Sequence, residues 1–172
     1  MPYSETVIRR GPNSRASLFF LERMKDMNEK LKAYFDMQKR HKQEMEDFPI
    51  AYAFNDTQLD EALKKLGATV QECCTVFNCG DIVKKADRLA LITMLNRHAD
   101  EIQNAMKDKE FAEAVFRYEM DNYEYAINMT GDEDVLSSLC LDKQMLKDLD
   151  LTGAYSRARN AHMKYMEELG VI

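Results

Sequence analysis

Three cysteines stand close together in the sequence, Cys73, Cys74 and Cys79, and His98 follows them on the next predicted helix. A zinc ion needs four tetrahedral ligands. Proteins often supply them as pairs of cysteines with two residues between them. Cys73 and Cys74 are adjacent instead, and adjacent residues of a strand point to opposite faces. The spacing therefore predicts no metal site, and it favours small, reduced cysteines in a buried strand.

A second group of candidate residues lies at 118–125, where tyrosines and carboxylates stand close together. On a helix, Glu119 and Asn122 are one turn apart and flank the stripe that contains Tyr123. One hypothesis is acid–base catalysis by Glu119 together with His98. Glycosidase-like chemistry needs a second carboxylate across a cleft, and the sequence does not place one. The other hypothesis is a tyrosine–carboxylate hydrogen-bond network that holds helices together.

Motifs of the common enzyme classes are absent from the sequence. It contains neither of the phosphate-binding glycine loops GxGxxG and GxxxxGK[ST]. It also lacks the nucleophile motif GxSxG and the zinc-protease motif HExxH. We therefore assign no catalytic residue and no cofactor from the sequence, and the pattern favours a protein that is not an enzyme.

A long helix is predicted from Asn13 or Ser14 to about Asp47, before Pro49. Its apolar positions follow steps of 4, 3, 4 and 3 residues, a spacing that keeps one seam of a helix against a partner helix, as in a coiled coil. Two interpretations stay open: the seam packs on the rest of the same chain, or residues 20–48 form a dimer. The first half of the seam consists of Phe20, Met24, Met27, Leu31 and Tyr34.

The chain has a net charge of −6, and its basic and acidic residues are unevenly distributed along the sequence. Residues 1–43 carry 10 Lys and Arg against 5 Asp and Glu, whereas residues 44–172 carry 14 against 25. The acidic part repels nucleic acid, and the basic part could bind RNA, an acidic protein or a second copy. A solvated helical face explains the same charges without any partner. The basic candidates for nucleic-acid contact are Arg9, Arg10, Arg15, Lys39, Arg40 and Lys42.

The remaining pattern predicts an α+β fold that is predominantly helical, with a small antiparallel sheet of two or three strands and a helical C-terminal half. Strands are predicted at residues 50–54, 69–77 and 81–84. Asn55 and Gln58 predict a capped helix between the first two strands, and Gly67 ends it. Thr130 and Glu133 predict a second capping box, and Asp142 predicts the cap of a further turn. We predict two parts, a basic tail and helical arm at 1–47 and an acidic α+β body at 48–172.

No apolar run approaches the roughly 18 residues that span a bilayer, and the N-terminal segment has no continuous apolar stretch of the secretory kind. Four cysteines without an export signal favour a reducing compartment. The sequence therefore predicts a cytoplasmic protein with no membrane contact.

Three segments resemble a family of short proteins of unknown function carried by phages and conjugative elements of gut bacteria. The segments are FPIAYAFNDTQLDEALKKLG, GDIVKKADRLALITMLNRHADEIQNAM and YEMDNYEYAINMTGDEDVLSSL. They are similar to a strand-to-helix step of the form AFSN-x-Q, a turn of the form GG-x-x-RK-x-D, and a helix of the form YEL-x-NHEY followed by TGD. The resemblance covers about residues 48–141.

The chain departs from this family pattern in places. Tyr123 stands where the family pattern has a histidine, and Cys79-Gly80 replaces a pair of glycines. The resemblance transfers no functional residue. It implies a setting, which is an accessory protein of a mobile element in the bacterial cytoplasm.

These observations predict a non-enzymatic interaction module that binds a host or element-encoded protein. The most specific version of this prediction is a counter-defence protein. Self-association is a further expected contact. The alternatives are a small enzyme that uses Glu119 and His98, and a nucleic-acid binder that uses the basic arm. The residues predicted to bind a partner are Phe20, Met24, Met27, Leu31, Tyr34, Glu119, Asn122 and Tyr123.

Overall fold

The computed structural model describes residues 15–125 and 131–171, with side chains from residue 28 onward. These residues form an α+β fold that is mostly helical, as the sequence predicts. Within them lie seven α-helices and three strands. The helices are α1 Arg15–Asp47, α2 Asp56–Leu66, α3 Arg88–Ala105, α4 Lys109–Asn122, α5 Asp132–Ser138, α6 Lys143–Asp148 and α7 Thr152–Glu168; the strands are β1 Ile50–Tyr52, β2 Cys73–Cys74 and β3 Asp81–Lys84.

The fold divides into two compact units. The inserted unit is Met37–Asn104, and the discontinuous unit comprises Met1–Asp36 and Ala105–Ile172, so far as these residues are described. Helix α1 supplies residues to both units. Among the described helices, none combines the length and the apolar character that crossing a bilayer requires.

The inserted unit is built on a three-stranded antiparallel sheet with the order β1-β3-β2. Ile50 pairs with Val83 and Ala51 with Ile82, so successive pairs face opposite sides of the sheet. Helix α2 covers one side, where Ala51 and Ile82 pack with Ala62 and Leu66. On the other side the Ile50–Val83 pair packs with Leu91 of α3 and with Met45 and Phe48 at the end of α1. The Ile50–Val83 and Ala51–Ile82 pairs are thus buried on opposite faces of the small sheet.

Local signals fix both ends of α2, as predicted. The Asn55 side chain accepts from the N–H of Gln58 at 2.9 Å, and the Gln58 side chain accepts from the N–H of Phe54 at 2.8 Å. Gly67 has φ +57, the left-handed conformation that glycine adopts without strain, and its N–H caps the last turn. Strand β1 ends at Tyr52, two residues before the predicted end of that strand.

The predicted strand at 69–77 is wrong over most of its length. Residues Val70–Glu72 form a 3-10 helix, and only Cys73–Cys74 pair with β3. The reason lies in two carboxylates that capture backbone donors. Glu72 accepts from the N–H of Thr69 at 2.8 Å, and Asp81 accepts from the N–H groups of residues 76, 77 and 79. Backbone groups committed to carboxylates cannot join a ladder.

The discontinuous unit is helical, with α4 and α7 packed on each other. Phe116 of α4 meets Tyr155 of α7 edge-to-face, with ring centroids 5.0 Å apart. The Asp108 side chain caps α4, and the Asp142 side chain caps α6 as predicted. The predicted cap Thr130 lies outside the described residues, and the Asp134 carboxylate accepts from the N–H of Gly131 at 2.9 Å. The largest fully buried core residues of this unit are Met106, Val115, Phe116, Met120, Val135, Leu136, Leu139 and Leu151.

Candidate interaction surface

A buried hydrogen-bond network joins α1 to α4 in the discontinuous unit. The Tyr34 hydroxyl donates to Glu119 Oε1 at 2.6 Å, and both side chains are nearly inaccessible, at 2% and 4% exposure. Asn122 Nδ2 donates to the other carboxylate oxygen at 3.1 Å. Hydrogen bonds to a buried carboxylate replace those it loses with water, so this network fixes the two helices in one register.

An aromatic face lies over that network, formed by Tyr34, Phe35, Phe111 and Tyr118. The Phe35 ring meets the Tyr118 ring edge-to-face at 4.8 Å, and Tyr34 meets Tyr118 at 6.1 Å. Phe35 is nevertheless 43% exposed, while Phe111 is buried. An exposed aromatic ring held by a rigid base is the type of side chain that anchors protein interfaces.

The predicted partner-binding residues are only partly brought together. Phe20, Met24 and Met27 lie in α1, and their side chains are outside the described part of the chain. Leu31 is half-buried. Tyr34, Glu119 and Asn122 form the network beneath the aromatic face, and Tyr123 follows α4 as a half-exposed cap residue. The sequence predicts Tyr34, Glu119 and Asn122 as binding residues but does not indicate the bond between Tyr34 and Glu119. It does not predict Phe35, which lies off the seam of apolar residues.

A second polar cluster holds α1 against α3 in the inserted unit. The imidazoles of His41 and His98 stack with centroids 3.9 Å apart. His41 Nε2 lies 2.8 Å from a Glu101 oxygen, and His98 Nε2 lies 2.6 Å from a Glu44 oxygen. Arg97 contacts both carboxylates. The cluster is reciprocal because each helix supplies a histidine and, three residues later, a glutamate. This spacing can be read from the sequence, as HKQE in α1 and HADE in α3.

Glu44 makes the stability of this cluster depend on pH. The Arg97 guanidinium and then His98 hydrogen-bond its carboxylate, which lowers the pKa of Glu44 from 4.5 to about 2. The folded state therefore binds fewer protons than the unfolded chain between these values, and its stability falls as the pH falls through that range. We expect Glu44→Gln to reduce the slope of unfolding free energy against pH between about 4.5 and 2.

Urea unfolding at a series of pH values measures that slope. The matched control is Glu46→Gln, because among the described residues the Glu46 carboxyl forms an ion pair only with the Lys42 Nζ, at 3.7 Å. An unchanged slope in Glu44→Gln, with the same midpoint shift as the control, would contradict the effect assigned to Arg97 and His98.

A third polar cluster lies in the discontinuous unit around Asp132. The hydroxyls of Tyr125 and Tyr155 both donate to Asp132 Oδ1, at 2.9 and 2.8 Å, and Arg159 Nε donates to the Tyr125 hydroxyl at 2.7 Å. Burial, followed by the Asp132 carboxylate, raises the pKa of Tyr155. Fully buried His162 bonds Asp121 and the Tyr125 carbonyl. The cluster attaches α7 to the end of α4 and the start of α5.

The polar groups of these clusters are engaged with one another. Within the described residues, no buried side-chain nitrogen or oxygen lacks a hydrogen-bond partner. Glu119 and His98 belong to different units and each is bonded inside its own, so enzymatic use of this pair stays a prediction.

Of the predicted nucleic-acid residues, Arg9 and Arg10 lie outside the described residues, as does the side chain of Arg15. Lys39 is exposed. Arg40 forms an ion pair with Glu101, and Lys42 lies 3.7 Å from Glu46. The placement of these residues does not test the prediction that the basic arm binds nucleic acid.

The cysteines are reduced and separate in the described structure. Cys73 and Cys74 are half-buried, whereas Cys79 and Cys140 are exposed. Burial raises the pKa of the Cys73 thiol, which disfavours a thiolate there. Among the described side chains, which are those of residues 28–125 and 131–171, no group of three His, Cys, Asp or Glu could hold a metal ion.

Comparison with known proteins identifies a family but no activity. Residues 33–161, most of the chain, match the model of a family that is described only as one of unknown function. The expected resemblance to a family of unknown function is therefore confirmed, over a longer range than the motifs cover. Searches of curated proteins and of solved structures give no match.

Proposed function

The chain belongs to DUF7659, a family of unknown function, and we propose that it is a non-enzymatic module that binds another protein through its aromatic face. The observation that carries this proposal is the Phe35 ring, which is 43% exposed yet held edge-to-face by Tyr118 above the buried Tyr34–Glu119 network. A preorganised aromatic side chain loses little conformational entropy on binding.

Charge indicates the kind of partner. Residues 44–172 carry 14 Lys and Arg against 25 Asp and Glu, so most of the chain presents a negative field. Complementary fields accelerate association and exclude partners of the same sign. We propose a partner protein with a basic surface, of the kind that contacts nucleic acid.

The setting that we propose follows the motif resemblance described above. The module acts in a bacterial cytoplasm as a product of a mobile element, and it occupies the basic surface of a host defence protein where phosphates would bind. The acidic composition supports this form of the proposal, since a negative surface competes directly with phosphate.

The test starts with affinity purification of the tagged full chain from a bacterial host, followed by purification of the recovered partner. Calorimetry then compares the wild type with Phe35→Ala, for which we expect binding weaker by at least about tenfold. The control is Leu169→Ala, because Leu169 is also exposed in the discontinuous unit but lies outside the aromatic face.

Two further results decide the proposal. Binding should weaken as salt rises, and the module should displace nucleic acid from the purified partner. Recovery of no specific partner, or equal affinity for Phe35→Ala and the wild type, would overturn the aromatic face as the binding surface.

A further inference from the structure

The inserted unit contains an exposed edge of the sheet. Strand β1 is at the end of the order β1-β3-β2, so among the described residues one side of it has no neighbouring strand. The Ala53 N–H donates to the Gly80 carbonyl at 2.8 Å on the β3 side. Because successive residues of an antiparallel strand point to alternate sides, the N–H and C=O of Tyr52 point away from β3. Tyr52 therefore offers one donor and one acceptor to another chain.

Two aromatic side chains accompany this backbone edge. Tyr52 is 49% exposed and Phe54 is 76% exposed. The Phe54 ring lies directly against Gly80, whose φ is +84, and a Cβ at that position would lie 2.6 Å from the ring. The contact with Gly80 thus fixes the position of a large, exposed apolar ring beside the backbone edge.

A groove of about 320 Å³ runs between this edge and α2. Helix α2 supplies one of its faces to the groove, with Glu61 at one position and Lys65 one turn further on. Neither side chain forms an ion pair within the described residues. The groove is lined by Ala51, Tyr52, Phe54, Gln58, Glu61, Ala62 and Lys65.

The order of charges on α2 identifies the occupant. Asp56, Asp60 and Glu61 lie in its first half, and Lys64 and Lys65 lie in its last turn. An antiparallel copy of the same helix places basic residues beside acidic ones in both directions. A surface that is complementary to itself about a two-fold axis is the requirement for an isologous dimer.

We propose that a second copy of this chain binds at the β1 edge. The two Tyr52 residues pair across the two-fold axis and exchange two backbone hydrogen bonds, so that two three-stranded sheets become one. The Tyr52 rings lie side by side on one face of this sheet. On the other face the α2 helices run antiparallel, and Glu61 of each copy pairs with Lys65 of the other. This contact is distinct from the dimer predicted through residues 20–48.

Sedimentation equilibrium of the full chain and of charge-reversal variants tests the proposal. We expect the wild type to dimerise, and Glu61→Lys and Lys65→Glu each to weaken dimerisation by at least about tenfold, because each creates like charges across the axis. An equimolar mixture of these two variants should form heterodimers, because its opposite charges meet again. The double variant E61K/K65E should dimerise as the wild type does.

Exposed apolar residues provide a second, matched pair of variants. Phe54→Ser should weaken dimerisation, whereas Leu89→Ser should not, since Leu89 is 74% exposed in the same unit but does not line the groove. A wild type that stays monomeric up to about 1 mM would overturn the proposal. So would a dimer that all these variants leave unchanged, or one that the mixture of charge variants fails to restore.

Discussion

Replacement of Asp81 by alanine is expected to lower the free energy of unfolding by about 3 kcal/mol. The Asp81 side chain is completely buried, and its carboxylate accepts from the backbone N–H groups of Val76, Phe77 and Cys79, at 2.5, 3.1 and 3.3 Å. Without the carboxylate these donors lose their acceptor, and residues 75–80 lose the contact that folds them back onto β3.

Urea unfolding measures this loss, with Asp81→Asn and Asp60→Ala as companions. The asparagine keeps the shape and one acceptor, so we expect a smaller loss, whereas Asp60 is exposed and its removal should change little. Burial alone would raise the pKa of Asp81, but the three N–H groups outweigh it and hold the pKa below 3.8. The stabilisation is therefore complete above that value and is lost as the pH falls below it. Equal losses in Asp81→Ala and Asp60→Ala would contradict the role of the carboxylate.

Tyr34→Phe is expected to cost about 2 kcal/mol, because it removes the donor of a 2.6 Å bond to a buried carboxylate. Glu119→Leu should cost a similar amount, since it removes the acceptor from the buried Tyr34 hydroxyl. The double variant should cost about 1 to 2 kcal/mol less than the two single losses together, because it removes both partners.

The control for this cycle is Tyr118→Phe, the same chemical change on a neighbouring ring of the aromatic face. We expect Tyr118→Phe to change the unfolding free energy by less than about 0.5 kcal/mol. Additive losses for Tyr34 and Glu119 in thermal or urea unfolding would show that the bond between them contributes nothing of its own.

Features with a local cause could be predicted from the sequence. The cap at Asn55, the left-handed end at Gly67 and the cap at Asp142 depend on residues within a single turn, and the structure confirms each of them. The helical spacing of the apolar residues was also sufficient to predict the fold class. The predicted strand at 69–77 was too long. Its side chains do alternate between the two faces of a strand. The carboxylates that accept hydrogen bonds from its N–H groups reach them only in the folded structure, which the alternation does not show.

The candidate surface could be predicted only in part because its bonds join residues far apart in the chain. Glu119 and Asn122 were recognisable as neighbours on one helix, but nothing in the sequence indicates that Tyr34 is the donor to Glu119. The His41–His98 stack has the same origin, although the repeated His-x-x-Glu spacing on two helices is a signal that could have been used. Phe35 lies off the predicted seam, so the spacing of the apolar residues does not indicate it.

The division of α1 between two units has a consequence during protein synthesis. Tyr34 and Glu119 are 85 residues apart, and the whole inserted unit lies between them. At a synthesis rate of about 5 to 20 residues per second, the Tyr34 segment waits roughly 4 to 17 s on the ribosome for its partner helix. Residues 37–104 can complete their own core in that interval, because they are contiguous. The Tyr34 segment of α1 therefore stays without its partner helix after the inserted unit has been synthesised.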